Sequence, residues 1–410
     1  MMSENVALTK EGLEQVPEPE IQTRIEKFQR FLESKDLDGA FLLQNVDIYY
    51  FTGTLQRSIL YIPREGQALL MVIKSFQRAR NESPLSEVLP LQSREGIFAL
   101  LADFGHGPLG RVGLELDVLP AAQYLWFKEK LPKTGVVDIS SGIRKIRMIK
   151  SPYEVDQIRR ATAILHKGYR EIGGLIREGM TELEIDGLLA HIARREGHMG
   201  FMRMRGWNQE MNYAHVLSGE SGAIASFCDT PVGGPGNTPA VAQGAGFRRI
   251  RKNEPIYIDY GSGVNGYLSD QTRTFVIGRL SDHLARAHAC GIEILQRLES
   301  EVRPGMPCGG LFEVAETIAR DQGFEAHFMG HGEGKVKFLG HGFGLEIDEY
   351  PIITPGSPQL LQEGMVFALE PKFVFPGEGA VGIEDDYLVT ASGLTRLTLT
   401  EQTLICIPGP

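Results

Sequence analysis

The feature that most constrains the fold is an apolar segment that carries a carboxylate within it. Residues 256–261 read Ile-Tyr-Ile-Asp-Tyr-Gly, and a second carboxylate, Asp270, follows Asp259 after eleven residues. The glycine-rich residues 261–266 between them are typical of a turn, so we predict a hairpin that brings the two carboxylates together. A buried Asp is costly unless it is paired or binds a metal, and two neighbouring carboxylates raise each other's pKa. A divalent cation would relieve both costs.

Three further residues extend this candidate metal site. His341 lies between glycines, which lets a ligand approach the imidazole closely, and Glu370 and Glu384 each end an apolar segment. Four carboxylates and one imidazole suit divalent ions such as Mn, Co, Zn or Fe. Two such ions balance the charge of the four carboxylates, so we predict two divalent metal ions with a bridging hydroxide as the nucleophile.

The overall composition argues against several classes of partner. The chain has 410 residues, which favours two domains, and 42% of them are hydrophobic, as in globular proteins. Its formal net charge of -10 disfavours nucleic acid. No apolar run approaches the ~20 residues that cross a bilayer, and the first residues are polar, so we predict a cytoplasmic protein without membrane contact. The four cysteines form no C-x-x-C pair and are expected to be reduced thiols.

Secondary-structure patterns divide the chain into three parts. Residues 1–20 are predicted to form an N-terminal arm, and residues 21–148 alternate strand-like and helix-like segments, which predicts an α/β domain. The third part, residues 149–410, begins with a capping box formed by Ser151 and Glu154 ahead of a long helix. The strands predicted in the N-terminal domain cover residues 40–43, 59–62, 68–73, 112–116 and 136–139.

The C-terminal part contains a weak internal repeat. Its helices are predicted over residues 152–177, 181–196, 282–301 and 311–322. An Arg-x-Gly-Met sequence joins the helices of each pair, at residues 177–180 and at residues 303–306. The repeat predicts two related α+β halves that face each other, with a site between them.

Together these motifs resemble those of the pita-bread metallopeptidases, which include prolidase, aminopeptidase P, methionine aminopeptidase and the metal-free creatinases. Residues 45–53 resemble the creatinase-like N-terminal domain, which favours the prolidase and aminopeptidase P branch. The resemblance implies a creatinase-like N-terminal α/β domain, a C-terminal pita-bread domain with pseudo-two-fold halves, and a homodimer. The order and spacing of five residues are similar to the family's metal site: Asp259, Asp270, His341, Glu370 and Glu384.

The resemblance also implies a role for each of these residues. Asp259 and Asp270 would hold the first metal ion, with Asp270 bridging. His341 and Glu370 would hold the second ion, and Glu384 would bridge both. Glu370 would in addition accept a proton from the attacking water, which makes it the principal catalytic residue.

The residues around the metal ligands depart from the family pattern. Where the family usually has three histidines, this chain has Gln243, Lys337 and Asp348, and Gly382 replaces an arginine. We expect Gln243 and Lys337 to bind substrate. Asp348 is a candidate base or a recogniser of a cationic group, or it pairs with Lys337. His215 is the best candidate for a catalytic replacement of a lost histidine.

The sequence therefore favours a peptidase that hydrolyses Xaa-Pro bonds in small peptides, as a dipeptidase or an aminopeptidase, through a metal-bridging hydroxide. Two alternatives stay open because the fold alone does not decide the function. One is a non-peptidase enzyme on the same fold, a C–N hydrolase or a lyase with Asp348 as the base. The other is a metal-bound protein that binds a peptide or partner without turnover.

Overall fold

The computed structural model describes residues 14–408, and the chain divides into two compact units, Met1–Ile146 and Arg147–Pro410. The first helix, α1, spans Glu18–Ser34, so the last three residues of the predicted arm are helical. Pro19 lies in the first helical turn, where its missing N–H costs nothing, and Glu18 complements the helix dipole. Residues 1–13 of the predicted arm lie outside the described residues.

The first unit is built on one mixed sheet. Its strands are β1 (Gly39–Leu42), β2 (Ser58–Pro63), β3 (Leu69–Val72), β4 (Glu87–Pro90), β5 (Arg111–Leu114) and β6 (Gly135–Asp138). They lie in the order β4-β3-β2-β1-β5-β6, with β1 antiparallel to β2 and parallel to β5. The later helices are α2 (Asn45–Thr52), α3 (Phe76–Glu82), α4 (Ile97–Asp103), α5 (Ala121–Lys130) and α6 (Ser140–Met148). This arrangement confirms the predicted α/β class. Strand β4 was missed because it is short and ends in proline.

The second unit opens with two predicted helices. Helix α7 (Pro152–Gly173) follows a capping box of Ser151 and Glu154, and α8 (Glu182–Arg195) follows one formed by Thr181. In a capping box the two side chains bond reciprocally to backbone N–H groups that the helix leaves unpaired. Helix α7 ends four residues before the predicted end, at a pair of glycines that disfavour continued helix.

The remaining elements of the second unit form three sheets and a second helix pair. The helices are α9 (Asp282–Glu301) and α10 (Cys308–Asp321). The strands are β7 (Ala214–Ser218), β8 (Ile256–Val264), β9 (Tyr267–Ile277), β10 (Gly340–Gly342), β11 (Glu349–Ile353), β12 (Val366–Leu369), β13 (Lys372–Phe375), β14 (Gly379–Gly382), β15 (Asp385–Thr390), β16 (Gly393–Arg396) and β17 (Ile405–Ile407). The sheets have the orders β17-β9-β8-β7, β11-β10-β12-β15-β16 and β13-β14.

The second unit consists of two related halves. In the first, α7 and α8 share a hydrophobic core with β7, β8 and β9, and in the second, α9 and α10 share one with β12 to β15. The turns between the paired helices match in detail. The N–H groups of Arg177 and Arg303 each lie 3.3 Å from the Sδ atom of the following methionine, Met180 and Met306. The glycines in these turns have φ values of 87° and 89°. The predicted repeat is therefore a structural one.

Among the described residues, none of the helices combines the length and the apolar character needed to cross a bilayer.

Candidate metal centre

A hairpin carries the first two candidate ligands. Strands β8 and β9 pair antiparallel and place Asp270 opposite Gly261. Only Asn265 and Gly266 form the turn, with φ values of 49° and 90°, as a tight Asn-Gly hairpin requires. The glycine-rich run predicted as a turn lies mostly within β8. A Cβ atom on Gly261 would lie only 2.0 Å from Sδ of Met202, so a larger residue there would require the Met202 side chain to move.

The other three candidate ligands come from the second half of the unit. His341 lies on β10, Glu370 follows β12 directly, and Glu384 directly precedes β15. His341 Nε2 lies 3.8 Å from Asp270 Oδ2 and 3.6 Å from Glu370 Oε1. Asp270, His341 and Glu384 each offer one ligand atom, and these three atoms lie within 4.8 Å of one another.

Buried contacts fix Glu384 against the hairpin. The Thr272 hydroxyl donates a hydrogen bond to Glu384 Oε2 over 2.7 Å. Arg273, which is fully buried, donates to the Glu384 carbonyl over 2.8 Å and forms an ion pair with Asp385 at 2.7 Å. These bonds join β9 to the segment before β15, so the two halves of the unit present their ligands to one point.

A lysine that the sequence analysis missed lies within this carboxylate cluster. Lys372 is 2% exposed, and its Nζ atom lies 3.0 Å from Asp259 Oδ2, 2.5 Å from Glu370 Oε2 and 3.2 Å from Glu384 Oε2. Side chains two residues apart on an extended chain point to the same side, so the spacing of Lys372 from Glu370 was the available signal. The contacts with Asp259 and Glu384 depend on the tertiary fold.

The pKa values follow the uneven distribution of charge. Burial and the neighbouring Asp259 raise the pKa of Asp270 well above its usual value. Burial and Asp270 do the same to the pKa of Glu384. Burial also acts to raise the pKa of Asp259, but the charge of Lys372 outweighs it and the pKa is lowered. Burial opposes the charge of Lys372, yet the surrounding carboxylates raise its pKa well above the usual value, so the ammonium is charged.

The residues on the His341 side fit a divalent ion. Glu384 Oε1 is buried and has no hydrogen-bond partner within residues 14–408, whereas buried carboxylate oxygens normally have one. His341 Nδ1 lies 3.3 Å from the Gly342 carbonyl, which can only accept, so that contact leaves Nε2 facing the carboxylates as a lone pair. Asp270, His341 and Glu384 therefore form a hard-donor set for one ion.

A cavity of about 620 Å³ adjoins His341 and contains two of the predicted substrate-site residues, Lys337 and Asp348, in its lining. Lys337 is exposed and forms no ion pair within the described part of the chain. Asp348 does not pair with it. Both of its oxygens accept backbone hydrogen bonds, from the N–H groups of Arg205 and Gly206, each over 2.8 Å. This arrangement suits a residue that positions the cavity wall.

Of the other two predicted residues, His215 lies beside Asp259 and Gln243 contacts His215. His215 faces Asp259 across the pairing of β7 with β8, and both His215 and Gln243 are buried. His215 Nε2 lies 3.4 Å from Gln243 Oε1, and Gln243 Nε2 donates to the Glu210 carbonyl over 2.6 Å. Burial lowers the pKa of His215, which favours the neutral imidazole. Neither residue is part of the lining of the 620 Å³ cavity.

Comparisons with known proteins agree with this architecture. The profile of Metallopeptidase family M24 matches residues 156–391, and that of the Creatinase/Prolidase N-terminal domain matches residues 24–149. The chain is 28% identical to an Xaa-Pro dipeptidase of Pyrococcus furiosus over 387 residues, which cover 94% of this chain and 100% of that protein. The crystal structure of the prolidase from Pyrococcus horikoshii superposes with a TM-score of 0.79 at 25% identity, covering 93% of this chain and 100% of that one. A prolidase structure from Pyrococcus furiosus gives a TM-score of 0.74 at 28% identity, covering 91% and 99%. The predicted fold is confirmed, including the pita-bread domain with its two related halves.

Proposed function

We propose that this chain, which belongs to metallopeptidase family M24, hydrolyses the Xaa-Pro bond of small peptides as a dipeptidase or an aminopeptidase. The family membership makes the chain a peptidase and implies divalent metal ions, as the sequence resemblance predicted. The observation that carries the proposal is the convergence of Asp270, His341 and Glu384 from separate segments, with ligand atoms within 4.8 Å of one another. The relatives described as Xaa-Pro dipeptidases and prolidases support the choice of substrate.

The proposed metal ion is held by Asp270, His341 and Glu384. Mn, Co, Zn and Fe all suit this donor set. When bound, such an ion supplies a Lewis acid and lowers the pKa of water. The finer prediction, two ions that share a bridging hydroxide, also requires space at Asp259. The charged Lys372 lies there instead, so the residues do not fit a second ion.

We assign the proton transfer to Glu370. Its Oε2 atom is held by Lys372 at 2.5 Å, while Oε1 lies 3.6 Å from His341 Nε2. One oxygen is therefore fixed and the other faces the proposed metal ligands. A carboxylate oriented in this way accepts the proton of an attacking water and returns it to the leaving nitrogen.

The cavity beside His341 is the proposed peptide site. A volume of about 620 Å³ is appropriate for a short peptide. Lys337 lines this cavity with an exposed ammonium group, so we assign it to the C-terminal carboxylate of a dipeptide. His215 lies beside Asp259 and contacts Gln243, so we assign this pair to holding that carboxylate in position rather than to proton transfer.

The alternatives have less support. A lyase or C–N hydrolase with Asp348 as the base needs a carboxylate oxygen aimed at the substrate, but both oxygens accept backbone hydrogen bonds. A protein that binds a metal without turnover does not require Glu370 to face His341. A homodimer remains part of the proposal, on the resemblance alone, and the cytoplasmic location stays a prediction.

A panel of peptides tests the proposal. The purified chain, loaded with Mn, Co or Zn, is offered Xaa-Pro dipeptides, longer Xaa-Pro peptides, and matched peptides with alanine in place of proline. We expect turnover of the proline peptides and little of the alanine ones. Bound metal without turnover of any proline peptide, or equal rates for proline and alanine, would contradict the proposal.

A further inference from the structure

We propose that the ammonium group of Lys372 takes the place of one of the two metal ions, so that this chain binds a single divalent ion. The inference rests on the proposed function only for the location of the metal centre. It concerns how many ions that centre holds and which residue supplies the remaining positive charge.

The first observation is the division of oxygens between two sides of the cluster. Lys372 Nζ contacts Oε2 of Glu384 at 3.2 Å and Oε2 of Glu370 at 2.5 Å. The second oxygen of Glu384 is left for the metal ion, and the second oxygen of Glu370 faces the same point, where the proposed proton transfer takes place. Glu384 Oε1 has no hydrogen-bond partner in the described chain, and Glu370 Oε1 lies 3.6 Å from His341 Nε2. A carboxylate that bridges two cations gives one oxygen to each. Here the ammonium group of Lys372 already contacts one oxygen of each carboxylate.

The second observation concerns Asp259, the ligand that a second metal ion would need. Its Oδ2 atom accepts hydrogen bonds from Lys372 Nζ and from the Tyr257 hydroxyl, each over 3.0 Å. Among the described residues, the group of mutually close donor atoms contains Asp270 and Glu384 but not Asp259. A divalent ion on Oδ2 of Asp259 would also lie close to a buried ammonium, and like charges repel strongly in such surroundings.

The third observation is that the fold has space for the lysine. Lys372 begins β13 and pairs with Gly382 on β14. A Cβ atom on Gly382 would lie 2.8 Å from Cγ and 3.3 Å from Cα of Lys372. A side chain at position 382 would therefore compete with the path of the lysine. Gly382 is also the position where the resemblance would place an arginine. The chain therefore lacks that arginine at the same place where the ammonium group of Lys372 enters the cluster.

These contacts make Lys372 a positioning residue. It holds Asp259, Glu370 and Glu384 together with a positive charge that is part of the chain, unlike a metal ion, which can dissociate. The metal ion on the other side then needs only Asp270, His341 and Glu384. The chain keeps the ligand order of a two-ion centre but uses it for one ion and one ammonium.

Metal stoichiometry tests this directly. Wild type, Lys372→Gly and a control, Lys252→Gly, are saturated with Mn²⁺, freed of unbound ion and measured by elemental analysis. Lys252 is an exposed lysine of the same unit that pairs with Glu178. We expect one Mn per chain in wild type and in the control, and two in Lys372→Gly. Electron paramagnetic resonance should show an isolated Mn²⁺ in wild type and a spin-coupled pair in Lys372→Gly.

Several results would overturn the inference. These are two ions or a coupled pair in wild type, no ion in wild type at saturating Mn²⁺, or one ion in a folded Lys372→Gly. If that variant does not fold, the wild-type count and spectrum still decide. Peptide turnover is a separate readout. A chain that binds one ion but does not cleave Xaa-Pro peptides contradicts the proposed function alone, and one that cleaves them with two ions contradicts the inference alone.

Discussion

Two buried charge clusters in the second unit differ in how completely they are neutralised. In one, Arg147 contacts Glu346 at 2.9 Å and Glu349 at 2.6 Å, and Lys150 contacts Glu349 at 3.1 Å. Arg205 also lies 3.7 Å from Glu346, and we call these five residues the closed cluster, because two acids meet three bases. In the other, the open cluster of Asp259, Asp270, Glu370, Glu384 and Lys372, four acids meet one lysine.

The pKa values of the carboxylates in the two clusters reflect this difference in neutralisation. Burial alone would raise the pKa of Glu349, but Arg147 and Lys150 outweigh it and lower the pKa to about 2. In the open cluster the pKa values of Asp270 and Glu384 are raised instead, by burial and by a neighbouring carboxylate, Asp259 in the case of Asp270 and Asp270 in the case of Glu384. The acids of the closed cluster are neutralised by bases of the chain itself, whereas the open cluster has an excess of carboxylates that a cation from outside can neutralise.

The largest expected effect tests the catalytic role of the open cluster. Glu370→Gln removes the proposed proton acceptor and should lower kcat by about 10²–10⁴-fold, the usual contribution of general base catalysis. The exposed Glu363→Gln serves as the control and should leave kcat unchanged. Steady-state kinetics on an Xaa-Pro dipeptide make the measurement. An equal effect of both changes, or none at Glu370, would contradict the catalytic role of the open cluster.

The second effect concerns stability and its dependence on metal. Lys150→Met leaves Glu349 with only one buried base and should cost about 3 kcal/mol of unfolding free energy, whether or not metal is present. Lys372→Met should cost a similar amount in the metal-free protein, and added Mn²⁺ should recover most of it. Urea unfolding with and without Mn²⁺ makes the comparison. Recovery of both variants by Mn²⁺ would contradict this comparison, because the closed cluster would then also depend on an added cation.

The third effect is the acid sensitivity of the closed cluster. Glu349 has a folded-state pKa of about 2, below its ordinary value of 4.5, so its contribution is present above pH 4.5 and is lost as the pH falls towards 2. The shift corresponds to about 3 kcal/mol. The difference in unfolding free energy between wild type and Glu349→Gln should therefore shrink as the pH is lowered from 5 to 3. A constant difference over this range would argue against the ion pairs.

The smallest effect concerns Asp348, which neighbours the closed cluster in sequence and lines the cavity beside the open one. Because both oxygens accept backbone hydrogen bonds, Asp348→Asn should cost about 1 kcal/mol of stability and leave the pH profile of kcat unchanged. Chemical unfolding and kcat between pH 5 and pH 9 test this. Loss of one limb of the pH profile would instead make Asp348 a base and revive the lyase alternative.

Local patterns predicted much of this molecule. The capping boxes placed the starts of two helices, and the Asn-Gly pair lies at the hairpin turn that the glycine-rich run suggested. The Arg-x-Gly-Met repeat reported the two related halves, because each copy forms the same turn. Such features depend on a few neighbouring residues and can therefore be recognised in the sequence.

Lys372 was missed for the opposite reason. In the sequence it is one polar residue after Glu370-Pro371. Its role depends on the contact with Asp259, which is 113 residues away. Two smaller features were also missed. Helix α7 ends at Gly173 because the glycines there disfavour further helix, and the strand Glu87–Pro90 is short and ends in proline. Long-range charge pairing is the part of the site that a single sequence does not reveal.

The most direct test of the single-ion centre is a crystal structure of the Mn²⁺-loaded protein with anomalous diffraction measured at the Mn absorption edge. We predict one anomalous peak, bound by Asp270, His341 and Glu384, with Lys372 Nζ still in contact with Asp259. Two peaks within the cluster, with Lys372 displaced from Asp259, would contradict the account.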